Sequence, residues 1–344
     1  MAHFTLKALT ASVLAAASFG AAHAAEFTLR YAHFWPSNST AHTEVFQKWA
    51  ESVEKASDGR IKVEIYPAQT LAKADGSYQA MVNGVADIVT VVQGYTAGRF
   101  PLTQIAELPN IGRSALQTGC VLQSLHDQGL LKDEYKDSHV LYMFSTGPGA
   151  LHTRDKAVAK PDDFRGLRMR SPSVVAGEVL QGVGARTVSM PAPEAYESMQ
   201  RGVIDGTAFP WEGALVFRLL ELSNNHVEVP LYSTVFVTAM NNRTYNRLPA
   251  DLKKVIDDHS GPEWQKRAAA VFDGLDAKGR ELAVKNGNTI VTIEEPMADP
   301  AWGPVLKKVT DDYLNSLKTK GMPADKVYEA AVAARAQCPL TPAS

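Results

Sequence analysis

Residues 165–213 read RGLRMRSPSVVAGEVLQGVGARTVSMPAPEAYESMQRGVIDGTAFPWEG. In Leu167-Arg168-Met169-Arg170 apolar and basic residues alternate. On a strand the two arginines share one face, and Leu167 and Met169 take the other. RTVSMP (186–191) is a further short strand. Tyr196 and Met199 then lie on one face of a helix, three residues apart, and Gly202 ends it. Asp205 leads into the next strand. Strand, helix, strand is the unit that builds parallel sheet.

The same signature occurs upstream. Residues 78–87, YQAMVNGVAD, and residues 196–205, YESMQRGVID, both fit Y-x-x-M-x-x-G-V-x-D. The first copy follows RIKVEIYP (60–67), as the second follows RTVSMP. We therefore expect two related α/β lobes. In open α/β sheets a ligand sits in the crevice at the carboxyl ends of the strands. That nominates Gln93, Gly94 and Tyr95 after the first copy, and Phe209, Pro210, Trp211 and Glu212 after the second.

Outward from these copies the pattern continues. EFTLRYAHF (26–34) alternates Phe27, Leu29 and Tyr31, a strand. Over 40–57, Val45, Phe46, Trp49, Ala50 and Val53 fall on one helical face, and Asp58-Gly59 ends the helix. ADIVTVV (86–92) and HVLYMFS (139–145) are apolar strands. From Leu248 to about Asn286 the pattern is helical and charged. TIVTI follows, then helices near 300–319 and 323–335. STGPGALHT (145–153) lacks phosphate-loop spacing. It reads as a crossing between lobes, where glycine permits unusual backbone angles. No low-complexity tract or linker divides the chain, so the lobes must interweave.

The N-terminus reads as a processing segment. Lys7 precedes an apolar run through ALTASVLAAASFGAA, too short to span a bilayer, and Ala22-His23-Ala24 is a small-x-small cleavage pattern. Cleavage is expected after Ala24, giving an exported, periplasmic protein. Export implies an oxidising compartment, in which the two cysteines, Cys120 and Cys338, are expected to pair.

The formal net charge is −2 and 45% of residues are hydrophobic. Neither a nucleic acid nor an anionic membrane is indicated as a partner. The nine histidines show no metal spacing. No nucleophile elbow or Cys-His signature is present. Asp162-Asp163 and Glu294-Glu295 sit beside prolines as solvated turn residues rather than as general acid and base. No catalytic residue, cofactor or metal is therefore assigned. Glu212 reads as a surface glutamate, with ligation of a bridging cation as the alternative.

The chain resembles the solute-binding proteins of TRAP (tripartite ATP-independent periplasmic) transporters, of the dicarboxylate-binding type. The likeness runs over nearly the whole mature chain. It is carried by LRYAHFWP (29–36), GRIKVEIYPAQTL (59–71), GVADIV (84–89) and AELPNI (106–111). DFRGLRMRSP (163–172), MPAPEAYESMQRGVIDG (190–206) and LPADLKKVI (248–256) continue it. The resemblance implies an α/β periplasmic-binding fold with two interwoven lobes, a hinge and a long spanning helix. It implies closure on a ligand, delivery to membrane permease subunits, and Arg170 as the cation that grips a carboxylate. A guanidinium pairs both oxygens of a carboxylate and keeps its proton.

There is one departure. Many acid-binding members carry Asn just before the Pro that follows Asp-Gly, where this chain has Phe209. An aromatic wall there favours a monocarboxylate with an aromatic or apolar body over a four-carbon dicarboxylate or 2-oxo acid. Phe34, Phe209 and Trp211 are expected as walls, with Trp35 shared between core and cleft, and Gln93 and Tyr95 as polar contacts. Residues 25–148 plus 235–277 are expected to form the first lobe and 149–234 plus 278–344 the second, in a monomer. The competing readings are a ligand-sensing partner of a membrane receptor, and a periplasmic enzyme, for which no nucleophile is found.

Overall fold

The computed structural model describes residues 25–341, so the expected leader lies outside the described residues. The strands are β1 (Phe27–Ala32), β2 (Ile61–Tyr66), β3 (Ile88–Val92), β4 (Ser138–Pro148), β5 (Ala150–Thr153) and β6 (Arg168–Ser171). They continue as β7 (Arg186–Ser189), β8 (Gly206–Phe209), β9 (Asn225–Glu228), β10 (Ser233–Asn241) and β11 (Thr289–Thr292). The helices are α1 (Gln47–Ala56), α2 (Ser77–Val82), α3 (Ala115–Asp127), α4 (Val174–Gly182), α5 (Ala192–Gln200) and α6 (Trp211–Val216). After them come α7 (Asn242–Arg247), α8 (Ala250–Asp258), α9 (Pro262–Lys285), α10 (Trp302–Thr319) and α11 (Ala324–Gln337).

One sheet has the order β2-β1-β3-β10-β4 and the other β11-β9-β5-β8-β6-β7. Each carries three parallel strands followed by an antiparallel one. The antiparallel strand is in each case chain that has just crossed over. β4 leaves the first sheet and continues through Gly149 as β5. β9 leaves the second and returns as β10. Neither lobe is one continuous segment, as the absence of a linker requires.

The repeated signature folds alike in both copies. Gly84 and Gly202 take φ +82° and +69°, a region in which a Cβ is strained. Asp87 accepts hydrogen bonds from the backbone N–H and Nε of Arg30. Asp205 does the same for Arg168. Each aspartate pins the strand that follows it beside the preceding parallel strand. β3 and β8, β1 and β6 then end at the seam between the lobes.

The five apolar residues on the face read for the first helix are all buried. The long charged helical region is interrupted: Gly261 has φ 73° and Pro262 opens α9. At 24 residues, α9 is about 36 Å long. Phe272 packs beside Trp35, Phe144 and Phe236 of the first lobe. Gly279 lies under the Trp211 carbonyl of the second. α9 therefore spans both.

The crossing glycines answer to space rather than angle. Neither Gly147 nor Gly149 has a positive φ, contrary to the sequence expectation. A Cβ on Gly149 would stand 2.2 Å from the Tyr232 ring. The Gly149 N–H bonds the Tyr232 carbonyl at 2.7 Å, tying the two crossing strands together.

Cys120 on α3 and Cys338 after α11 form a disulfide, with Cα atoms 5.8 Å apart. α11 packs on α3 of the first lobe while α10 packs on α4 of the second. The sequence grouping placed all of 278–344 in the second lobe, and this packing argues for moving α11 to the first. Among the described residues no helix is long and apolar enough to cross a membrane.

Candidate ligand-binding site

Arg170 lies at the seam of the lobes with only 1% of its surface exposed. Its Nε donates to the Met190 carbonyl at 3.0 Å and one Nη to the Ala208 carbonyl at 3.1 Å. Met190 follows β7 and Ala208 is on β8, so both neighbours of β6 contribute to the cradle. The other Nη donates to the Tyr95 hydroxyl at 3.2 Å, across the seam. The guanidinium lies over the Phe209 ring, 4.1 Å from its centroid. None of the ion pairs among the described residues involves Arg170. A guanidinium has five N–H donors, and three are engaged. One N–H remains on each Nη, the fork that a carboxylate matches.

The first lobe supplies the opposite wall. Tyr95 follows β3 in a single 3₁₀ turn. Its oxygen accepts from Arg170 and from the Ala192 N–H at 2.9 Å, leaving its own proton free to donate. Burial foremost raises its pKa, so the phenol stays neutral. Phe34 and Trp35 follow β1 and stack at 3.9 Å. Phe217, 6.2 Å from both Phe34 and Phe209, and Phe236 complete an aromatic enclosure. The space these side chains share is about 20 Å³, room for a water molecule but not for a ring. Gly94 abuts the second lobe directly: a Cβ there would stand 2.6 Å from the Ser173 Cβ. The lobes are shut.

The sequence-nominated residues divide accordingly. Arg170, Phe34, Tyr95 and Phe209 come together, with Trp35 among them. Gln93 does not join them: it is 0% exposed and donates to the Tyr135 hydroxyl inside the first lobe. Trp211 faces the hinge, donating to Glu228 and packing on His152 and His226. Pro210 lies between Phe209 and Trp211 and fixes their divergence. Phe217 and Phe236 were missed, because neither follows a strand of the repeated signature.

Glu212 corrects the sequence reading. It is 3% exposed rather than on the surface, and it lines the enclosure. Its Oε1 accepts from the Trp35 indole at 3.3 Å, and its backbone N–H is bound by Asp276 of α9. Burial, with the Asp276 carboxyl beside it, pushes Glu212 up to about 8. Burial likewise pushes Asp276 up to about 7. Among the described residues no group of acidic, histidine or cysteine side chains is fit to hold a metal ion.

A larger space of about 350 Å³ opens on the hinge side, beside Trp211, Asp273 and Arg280. Its arginines are already paired. Arg280 pairs with Glu228 and Arg113 with Glu295, and Asp273 accepts the Ala115 and Leu116 N–H groups that open α3. It reads as a structural groove.

Two interwoven lobes, four chain crossings and a buried, unpaired guanidinium between aromatic walls define a hinged binding protein for an anion. A family model described as bacterial extracellular solute-binding protein, family 7, matches residues 31–316. The chain belongs to this family, the solute-binding proteins of TRAP transporters. These are ligand-binding receptors that serve membrane permease subunits, not enzymes. Three solved structures are similar to it. One, from an unidentified marine microbe, is a TRAP solute-binding protein specific for aromatic acids, with 3-hydroxybenzoate. It is 33% identical, covers 92% of this chain and 99% of its own, and has a TM-score of 0.86. A second, from Rhodoferax ferrireducens with copurified benzoate, is 32% identical over 90% of this chain and 98% of its own, TM-score 0.82. A third, from Bordetella bronchiseptica with (R)- and (S)-mandelate, is 28% identical over 90% and 99%, TM-score 0.81.

Proposed function

We propose that this protein is exported to the periplasm with cleavage after Ala24. There it captures a small monocarboxylate with an aromatic or apolar body and delivers it to a TRAP permease. The observation that carries the reading is Arg170: buried, without an acidic partner, two N–H groups in hand, and laid on the face of Phe209. An isolated buried charge is costly, and a ligand carboxylate removes that cost in the closed state. Tyr95 donates to the same carboxylate, while Phe34, Phe209 and Phe217 enclose the body.

The three similar structures hold aromatic or aryl-substituted monocarboxylates, which supports the same class. A dicarboxylate fits less well, since the enclosure has one cation, Arg170, and is walled mainly by aromatic rings. A thermal-shift series tests this. Benzoate, 3-hydroxybenzoate or mandelate should raise the melting temperature, because a ligand bound only to the folded state stabilises it. Succinate and pyruvate should not. Stabilisation by succinate or pyruvate alone would overturn the reading.

A further inference from the structure

We infer that Glu212 serves the cleft as a neutral carboxylic acid, donating its hydroxyl to a ligand oxygen, and that the acid ligand is therefore bound together with a proton. This rests on the reading of the cleft as an organic-acid site.

The geometry is that of a buried carboxyl, Glu212, backed by a half-buried one, Asp276. Glu212 opens α6 at the cleft, and Asp276 stands behind it on α9, bonded to its backbone N–H. Among the described residues neither forms an ion pair. The remaining groups that face Glu212 bring it no positive partner. From α9 there is Asp276, with Asp273 beyond it. From the first lobe come the Trp35 indole and the neutral Tyr95 phenol, and β4 and β10 offer only Thr146 and Thr234. Arg170 lines the same enclosure but is bonded to Tyr95, Met190 and Ala208 and forms no ion pair with Glu212.

Neighbouring carboxyls disfavour each other's charge, so the more buried of the two keeps the proton. Asp276 is half-buried and lines the hinge-side groove, while Glu212 is buried. Asp276 accepts backbone N–H groups, from Glu212 and Gly147, and these favour its charged form. Glu212 has only the long indole contact. The proton of the pair therefore resides on Glu212.

Function follows from that placement. An ionised Glu212 would face the carboxylate that Arg170 holds, like charge toward like charge in a site that excludes water. A protonated one supplies a donor and no charge. When the lobes part, Trp35 withdraws from Glu212, water reaches the carboxyl and ionisation becomes easier. Closure on a ligand then draws a proton from solution, and alkaline pH opposes it.

Benzoate calorimetry from pH 6.5 to 9.5, in paired buffers of low and high ionisation enthalpy, tests this. The expected result is net proton uptake at pH 7.5 and 8.5, and a Kd that rises at least about tenfold from pH 7.5 to 9.5. Within Glu212→Gln, whatever its absolute affinity, the same ratio should fall below about twofold and the uptake should vanish. A flat wild-type profile, or a Glu212→Gln profile as steep as wild type, would overturn the inference. If the variant does not fold, zero proton uptake by the wild type does so alone. If sodium, compared with choline, restores affinity at pH 9.5, a cation holds the place assigned to the proton and the inference fails. Tight benzoate binding with no pH dependence leaves the ligand reading standing. No binding at pH 6.5 removes both.

Discussion

Arg168 and Arg170 are two residues apart on one strand, and what answers their charge separates their roles. Arg168 is met by Asp205, whereas Arg170 is met by carbonyls, a phenol and the face of Phe209. The aromatic face is itself a partner, worth about 0.5–2 kcal/mol for a cation held over it. Phe209→Asn should therefore weaken benzoate binding by about threefold to thirtyfold; unchanged affinity in a calorimetric titration would make Phe209 mere packing. At this scale the sequence was informative where a strand aims its last residues, as for Phe34, Arg170 and Phe209. It was misleading just beyond. Gln93 and Tyr95 belong to one 3₁₀ turn, where alternation no longer decides direction, and only Tyr95 turns to the cleft. Pro210 breaks the register in the same way for Trp211. Glu212 was unreadable because its partners, Trp35 of the first lobe and Asp276 of α9, are residues that sequence spacing does not bring near it.

Within the second sheet, β5 and β9 are joined by a histidine pair. His152 Nε2 donates to the Phe209 carbonyl at 3.0 Å, so its Nδ1 accepts from His226 Nδ1 at 2.7 Å, and His226 Nε2 accepts from Asn288. Only two neutral rings satisfy this chain. Burial foremost pushes His152 down to about 4 and His226 to about 2. Their contribution is complete above the unfolded value near 6.5 and is lost as pH falls toward 4, at about 1.4 kcal/mol per pH unit for each ring. Glu107, which is 0% exposed and which burial pushes up to about 8, acts with Glu212 in the opposite sense. Their stability is present below about pH 4.5 and lost as pH rises to 8. Denaturant unfolding of His152→Gln should therefore differ from the parent by a constant amount above pH 6.5 and by a shrinking amount below it. Parallel curves down to pH 4.5 would contradict the pair's role. The terminal helix gives a second test. The Cys120–Cys338 bridge spans 218 positions, for which the chain-entropy model allows up to ~5 kcal/mol. Cys338→Ser should lower the urea midpoint, and an unchanged midpoint would show that α11 holds to α3 unaided. The pairing was legible from there being two cysteines in an exported chain. The packing of α11 on the first lobe was not, since its apolar face names no partner.

For the whole molecule, the fold was largely legible. The repeated Y-x-x-M-x-x-G-V-x-D signature gave two related lobes, and the unbroken composition gave their interweaving. Which strands cross over was not written there, because antiparallel β5 and β10 pair over long separations and Gly147 and Gly149 act through space rather than backbone angle. The shut enclosure has room for a water and Arg170 is almost wholly buried, so a ligand enters only when the lobes part. Benzoate should reduce the radius of gyration in small-angle scattering. Gly94→Ala, whose added methyl meets Ser173, should keep the molecule expanded and bind more weakly. Equal radii with and without ligand, in both proteins, would count against the hinge. All of this depends on one contact, the carboxylate held by Arg170, and calorimetric titration of benzoate into Arg170→Ala measures it. Removing one partner of a buried charge pair costs about 2–5 kcal/mol, so affinity should fall by about thirtyfold or more. An Arg170→Ala protein that binds benzoate as tightly as the wild type would contradict the account.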